Sequence, residues 1–296
     1  MKVAILTDSN SGITQKEAKE LGIKVIPMPF NIDGEEYLED INLTQEEFYK
    51  KIIAGAKVST SQPSIGYVNS VWDDLLQEYD GVVYIPMSSG LSKSYESAWL
   101  SSEANYKGKV FVVNNQRISV TQRQSVLDAM ELAKRGFSAE EIKEKLEEVK
   151  MESDIFITLS TLEYLKKGGR ITPAAAALGG MLRLKPILLI KGEKLDKFRM
   201  RNTSLERAMD IMIQAIDEKI NGYLKDKDGR VDNIHLEAAY AGTDLTSINE
   251  LVRRMKEKYP NQEIVCQPLS LSVSCHIGPG AIAVAISKAI PDSWVK

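Results

Sequence analysis

Histidine and cysteine are nearly absent: the 296 residues include two of each. Cys266 and Cys275 stand near the C-terminus without CxxC spacing, which argues against a disulfide framework. With only His235 and His276 beside those thiols, an all-protein zinc site is hard to assemble, so no metal is expected. Charge of one sign is lacking too. Lysine and arginine total 38 against 41 acids, a formal net charge of -3, which gives no global attraction to nucleic acid or an anionic membrane. No apolar run approaches the roughly 20 residues that span a bilayer, and residues 1–30 show neither a signal-peptide hydrophobic region nor a cleavage site. A cytoplasmic protein without stable membrane insertion is the expectation. There is no tandem repeat, low-complexity tract or long flexible linker.

A composition 43% hydrophobic and 27% charged belongs to a soluble globular protein, and 296 residues suit two domains of ordinary size. The informative stretch is Val82–Leu100, VVYIPMSSGLSKSYESAWL. An apolar β-branched run ends at Pro86, a Ser- and Gly-rich loop follows, and helical spacing resumes at Tyr95, Ala98 and Trp99. In an open α/β sheet such a loop lies at the carboxyl edge of a strand, where the next helix directs free N–H groups and its positive dipole end. A small anion fits there. The loop matches neither G-x-x-x-x-G-K-[ST] nor G-x-G-x-x-G, having one glycine, Gly90, among Ser88, Ser89, Ser92 and Ser94. Hydroxyls and backbone N–H groups can hold a carboxylate, with Lys93 supplying charge if it faces inward; alternatively the serines only cap the helix.

A second hydroxyl-rich loop runs from Val58 through Ser59, Thr60, Ser61, Gln62 and Pro63 to Ser64. Pro63 disfavours helix at Gln62, and Ser64 is placed to cap a helix over Ile65–Gln77. The two loops either converge on one ligand or each cap their own helix.

Strands are expected at Lys2–Leu6, Ile23–Phe30, Lys109–Val113 and Asp154–Leu159. Capping pairs Thr14/Glu17, Thr44/Glu47 and Ser138/Glu141 start helices between them, with another helix over Ile118–Lys134. The alternation implies an α/β first domain, residues 1–159, with a doubly wound, mainly parallel sheet. Asp8 follows the first strand, where it either forms a turn or meets a ligand. From Ser160 the pattern changes. Ser160/Glu163 reads as one more capping box, Lys166, Lys167, Gly168 and Gly169 as a helix stop, and Arg170 as free to serve a ligand or partner. Thr172-Pro173 starts a small-residue helix through Gly180, Ile187–Ile190 and Leu195–Met200 form a hairpin about Gly192, and Thr203/Glu206 cap a long amphipathic helix. After a charged loop over Gly222–Asn233, strands at Ile234–Tyr240 and Ile264–Leu269 flank a helix over Leu245–Tyr259. Ser274–Gly280 reads as a rigid loop carrying His276 ahead of the apolar run Ala281–Ile286. The second domain, residues 160–296, is therefore expected to be a mixed or antiparallel sheet with flanking helices.

Five segments in order resemble the DegV family, bacterial proteins related to FakB, the fatty-acid-binding subunit of fatty acid kinase: Thr7-Asp8-Ser9; Thr60-Ser61-Gln62-Pro63-Ser64; Ser88-Ser89-Gly90-Leu91-Ser92; Leu165-Lys166-Lys167-Gly168-Gly169-Arg170-Ile171; and His276 with Gly278-Pro279-Gly280. The resemblance runs nearly end to end. It implies two α/β domains clasping one long-chain fatty acid, with no other cofactor. Thr60 and Ser92 match the hydroxyls that hold the carboxylate, beside Ser61, Lys93 and Ser94; Arg170, His276 and Gly278 match the head-group end. Arg199 or Arg201 matches a basic position implicated in docking a separate ATP-dependent kinase subunit, which would convert the carboxylate to an acyl phosphate. The chain departs from the family pattern at Lys93 and Ser94, where Gly and Thr are usual, and at Ile277, where Thr is frequent.

Two other readings compete. Gly90-Leu91-Ser92-Lys93-Ser94 is one residue from the G-x-S-x-G elbow of serine hydrolases, with Asp244 and His276 downstream, although the serine falls several residues late after its strand. A lipid-sensing regulator without a kinase partner shares every feature of the carrier.

Overall fold

The computed structural model describes residues 2–176, 186–192, 195–199, 204–221 and 234–296. Val3–Asp8 (β1) leads through a 3-10 turn, Ser9–Ser11, into Gln15–Leu21 (α1) and Lys24–Ile26 (β2). Pro29–Ile32 (β3), Glu35–Leu38 (β4), Gln45–Ile53 (α2) and Val58–Thr60 (β5) follow, then Ile65–Leu75 (α3), Gly81–Ile85 (β6) and Ser94–Asn105 (α4). Val110–Val112 (β7), Ser119–Lys134 (α5) and Ala139–Glu148 (α6) complete the first half. β2-β1-β6-β7 form an all-parallel sheet. Its strands alternate between two cores, as a doubly wound sheet requires. Ile5, Val83 and Ile85 pack against Val126, Leu132 and Ile142 of α5 and α6. Leu6, Val82 and Tyr84 pack against Val68, Trp72 and Ala98 of α3 and α4.

The apolar run expected as one strand at Ile23–Phe30 is split. Pro27 and Pro29 remove two ladder donors, so β2 stays in the parallel sheet while β3 joins β4 and β5 in a separate antiparallel sheet. The capping boxes at Thr44/Glu47 and Ser138/Glu141 form completely, and Thr14 and Ser64 each accept one N–H.

The second half comprises Ser153–Thr158 (β8), Glu163–Gly168 (α7), Pro173–Ala176 (α8), Ile187–Ile190 (β9) and Asp196–Arg199 (β10), followed by Leu205–Asn221 (α9) and Ile234–Ala241 (β11). Thr246–Lys258 (α10), Ile264–Pro268 (β12), Leu271–Ile277 (α11) and Ala281–Lys288 (β13) close the chain. The sheet order is β10-β9-β8-β13-β11-β12, antiparallel except for the β11–β12 pair. This is the mixed sheet expected. β8, which the local strand–helix alternation places in the first sheet, lies in the middle of the second instead. Its partners are β13 and β9, and pairing with β13 across some 130 residues of chain leaves no local trace.

Two further expectations are corrected. Ser160 caps nothing: its hydroxyl donates to Gly280 O at 3.2 Å, and Thr161 Oγ1 accepts from Glu163 N instead. Ser274–Ile277 is the end of α11 rather than a loop, capped by Ser270, which accepts from Val273 N. Thr203, the loop 222–233 and the end of the small-residue helix lie outside the described residues.

Alternation along the second sheet produces two unlike faces. Phe156, Leu236, Ile282, Val284 and Ile286 fill a core with Met212, Ile216 and Leu251 of α9 and α10. On the opposite face stand Ile155, Ile157, Ala239, Ala241, Ala283 and Ala285. Large residues fill one side and alanines leave the other shallow.

Candidate functional site

The loop between β6 and α4 winds inward through bonds from Leu91 N and Ser92 N to Ser88 O. Ser88 Oγ ties it to the second half by donating to Gly192 O at 2.5 Å. Ser92 Oγ accepts from Ser94 N at 3.2 Å and pairs with Ser94 Oγ at 2.9 Å, while the N-cap residue, Lys93, offers no side-chain cap. The first turn of α4 therefore keeps N–H groups free beside Ser92. The other hydroxyl loop is fastened to α4 by Gln62 Nε2, which donates to Ser97 Oγ at 3.0 Å. The two loops converge.

α11 brings His276 to them. Only seven residues long, it is held by distant partners: Glu39 accepts from Leu271 N, Asn10 Oδ1 accepts from Ser272 Oγ at 2.6 Å, and Tyr49 OH pairs with Ser274 Oγ at 2.8 Å. Burial pushes the Glu39 carboxyl up to about 7. At the other end of the helix, His276 Nε2 lies 2.8 Å from Thr60 Oγ1. The ring presses on α7 so closely that a Cβ on Gly168 would stand 2.1 Å from Nδ1. Arg170 spans α7 and the serine loop, donating to Gly168 O and, through Nε, to Leu91 O at 3.3 Å. Gly278 ends α11 at φ 73, its Cα against the Tyr164 ring.

Burial, with the Arg170 charge second, lowers the His276 imidazole to about 4, so the ring is neutral at pH 7. Since that lies below the ordinary 6.5, its stabilising contribution is complete above pH 6.5 and is lost as pH falls toward 4. A gap of that size corresponds to about 3 kcal/mol. Urea unfolding between pH 7 and pH 4 should accordingly show the unliganded protein losing up to about 3 kcal/mol more than His276→Gln. A pH-independent difference between the two would contradict a buried neutral ring.

Thr60, Ser61, Ser92, Lys93, Arg170 and His276 all border one cavity of about 390 Å³, within the roughly 300–1,000 Å³ of small-molecule sites. Ser94 adjoins it through Ser92. Lys93 does not face inward: its side chain is 79% exposed and pairs with Glu96 at 2.5 Å. Arg199 lies on β10, away from the cavity lining, paired with Glu218 at 3.0 Å; Arg201 lies outside the described residues. The apolar lining comes from residues that sequence reasoning missed, among them Ile155, Ile157, Ile190, Ala239 and Ala283 on the shallow face of the second sheet. Their signal was the small–large alternation Ala281-Ile282-Ala283-Val284-Ala285-Ile286.

The geometry assembles no hydrolase dyad. His276 Nε2 is engaged by Thr60 and Ser92 Oγ by Ser94, while Asp244 accepts from Thr246 N at the start of α10. Among the described residues no group of three or more His, Cys, Asp or Glu could hold a metal ion, and no helix is long and apolar enough to cross a membrane.

A polar cluster opening onto an apolar floor can be compared with known proteins. A DegV domain-containing protein of Caldanaerobacter subterraneus is 29% identical over 287 residues, covering 96% of this chain and 98% of that one. Another, from Staphylococcus aureus strain N315, is 28% identical, covering 97% and 99%. The structure described as "Fatty Acid Binding of a DegV family Protein from Thermus thermophilus" superposes with a TM-score of 0.86 at 29% identity, covering 97% of this chain and all of that one. "DegV, a fatty acid binding protein from Bacillus subtilis" gives a TM-score of 0.84 at 26% identity, covering 97% and 99%. A family model described as "Uncharacterised protein, DegV family" matches residues 2–289, and the chain belongs to the DegV family.

Proposed function

We propose that this protein binds one long-chain fatty acid and presents its carboxylate to a separate ATP-dependent kinase subunit. The observation that carries the reading is a single cavity with Thr60, Ser92, Arg170 and His276 at one part of its wall and the Ile/Ala sheet face at another. Relatives named as fatty acid binding proteins support it. Each buried methylene contributes roughly 0.8 kcal/mol, so a sixteen-carbon chain gains on the order of 10 kcal/mol before the entropic cost of binding. The hydrocarbon supplies affinity. The hydroxyls, the Arg170 guanidinium and the free N–H groups of α4 orient the carboxylate. In the kinase step a carboxylate oxygen attacks the γ-phosphorus of ATP, the bond to the β-phosphate oxygen breaks, and ADP leaves. This chain contributes position rather than a nucleophile. A partner working on ATP fits a cytoplasmic protein, and either Arg199, on β10, or Arg201 offers that partner a basic contact.

Thr60→Val combined with Ser92→Ala tests the head-group assignment. Hydrogen bonds to a charged group contribute about 1.5–3 kcal/mol each, so palmitate affinity should fall at least about tenfold per hydroxyl while circular dichroism stays unchanged. Unaltered affinity would place the carboxylate elsewhere. His276→Ala should reduce acyl-phosphate formation with a kinase subunit more than palmitate uptake; equal loss of both would contradict that division.

A further inference from the structure

The head-group cluster leaves three polar residues of the same cavity unused: Asn10, Ser119 and Ser272. They are only 1%, 5% and 4% exposed. Ser119 opens α5, a sixteen-residue helix whose start has no side-chain cap. Because Ile118, Ser119 and Val120 all line the cavity, the free N–H groups of this first turn and its positive dipole end meet the cavity wall. The Ser119 hydroxyl itself has no hydrogen-bond partner among the described residues. The residue borders the cavity, where a polar atom of a ligand can pair with its hydroxyl.

Neighbouring bonds locate this spot. Gln122, in the first turn of α5, donates to Asp8 Oδ1 at 3.1 Å, and Asp8 Oδ1 also accepts from Asn10 N at 3.0 Å. The start of α5 thus overlies the turn that carries Asn10. Asn10 in turn bonds Ser272, one turn of α11 before His276 and so about 6 Å from it along the helix axis. The Asn10 amide nitrogen donates to Met87 Sδ, a weak acceptor.

We propose that Ser119, with Asn10 and Ser272 beside it, forms a second polar station that selects fatty acids carrying a hydroxyl or keto oxygen along the chain. That oxygen accepts from Ser119 Oγ and the open N–H groups of α5. The inference rests on the fatty-acid reading above and deepens it.

The experiment is a competition titration of delipidated protein with stearate and with positional series of hydroxystearates and ketostearates. At least one oxygenated isomer should bind roughly five- to tenfold more tightly than stearate, as one added neutral hydrogen bond allows. Ser119→Gly removes the hydroxyl at φ 56, an angle glycine adopts freely, so the fold should survive, as thermal melting checks. That variant should keep stearate affinity and lose the preference. Stearate matching every oxygenated isomer, or a preference that persists in Ser119→Gly, overturns the station while leaving the fatty-acid reading intact. Failure of stearate and all its derivatives to bind overturns both.

Discussion

Ala283→Phe should abolish tight binding of long-chain fatty acids while leaving the protein folded. Ala283 is 2% exposed, lines the cavity, and sits opposite Ala239 on β11 and Ile157 on β8. A phenyl ring at this point projects into the space rather than into packed side chains. Inserting bulk into a filled core costs about 1–3 kcal/mol, but a ring entering a cavity of about 390 Å³ meets mostly empty volume, so the melting temperature should hold or rise. The ligand bears the cost. Displacing about four methylenes at roughly 0.8 kcal/mol each removes about 3 kcal/mol, more than a hundredfold in affinity. Palmitate titrations of the variant and the wild type read the shift, and wild-type palmitate affinity in the variant would mean that the chain does not run over this floor.

Gly168→Ala should destabilise the protein and disconnect the head-group cluster, an outcome opposite in sign to helix propensity. In a helix such as α7 the exchange ordinarily stabilises by about 0.5–1 kcal/mol. Here the new Cβ would stand 2.1 Å from His276 Nδ1 and 2.9 Å from Cε1, so the ring or the helix must move. Either movement breaks the 2.8 Å contact between His276 and Thr60. A net loss of about 1–3 kcal/mol in urea unfolding is expected, with palmitate affinity reduced as well. Gly169→Ala is the control. Glycine adopts the φ of 66 there freely and an added Cβ would meet open space, so alanine is strained in its backbone alone and the substitution should lower stability without touching ligand affinity. A Gly168→Ala protein that is more stable than wild type and binds palmitate normally would contradict the tight α7–α11 contact.

Local chemistry carried much of the fold. The boxes at Thr44/Glu47 and Ser138/Glu141 form as read, because both halves of each interaction lie within one turn of helix. The two hydroxyl loops were visible for the same reason. What stayed hidden depends on residues far apart in the chain. α11 looks like a loop because serine and valine are modest helix formers; Glu39, Asn10 and Tyr49, more than two hundred residues earlier, hold it in place. β8 looks like a strand of the first sheet until β13 pairs with it. Lys93 appears beside Ser92 as a source of inward charge, yet Glu96, three residues on, draws it to the surface. The cavity floor was present as an Ala/large alternation, but which face of β13 meets solvent, core or ligand is decided by α9 and α10 on its other side.

A crystal structure of the protein with palmitate tests the central claim most directly. The carboxylate should lie within hydrogen-bond reach of Thr60 Oγ1 and Ser92 Oγ, beside Arg170, with the chain extending over Ala239 and Ala283. Ligand density whose acid group lies away from both hydroxyls, or whose hydrocarbon avoids the second sheet, would contradict it.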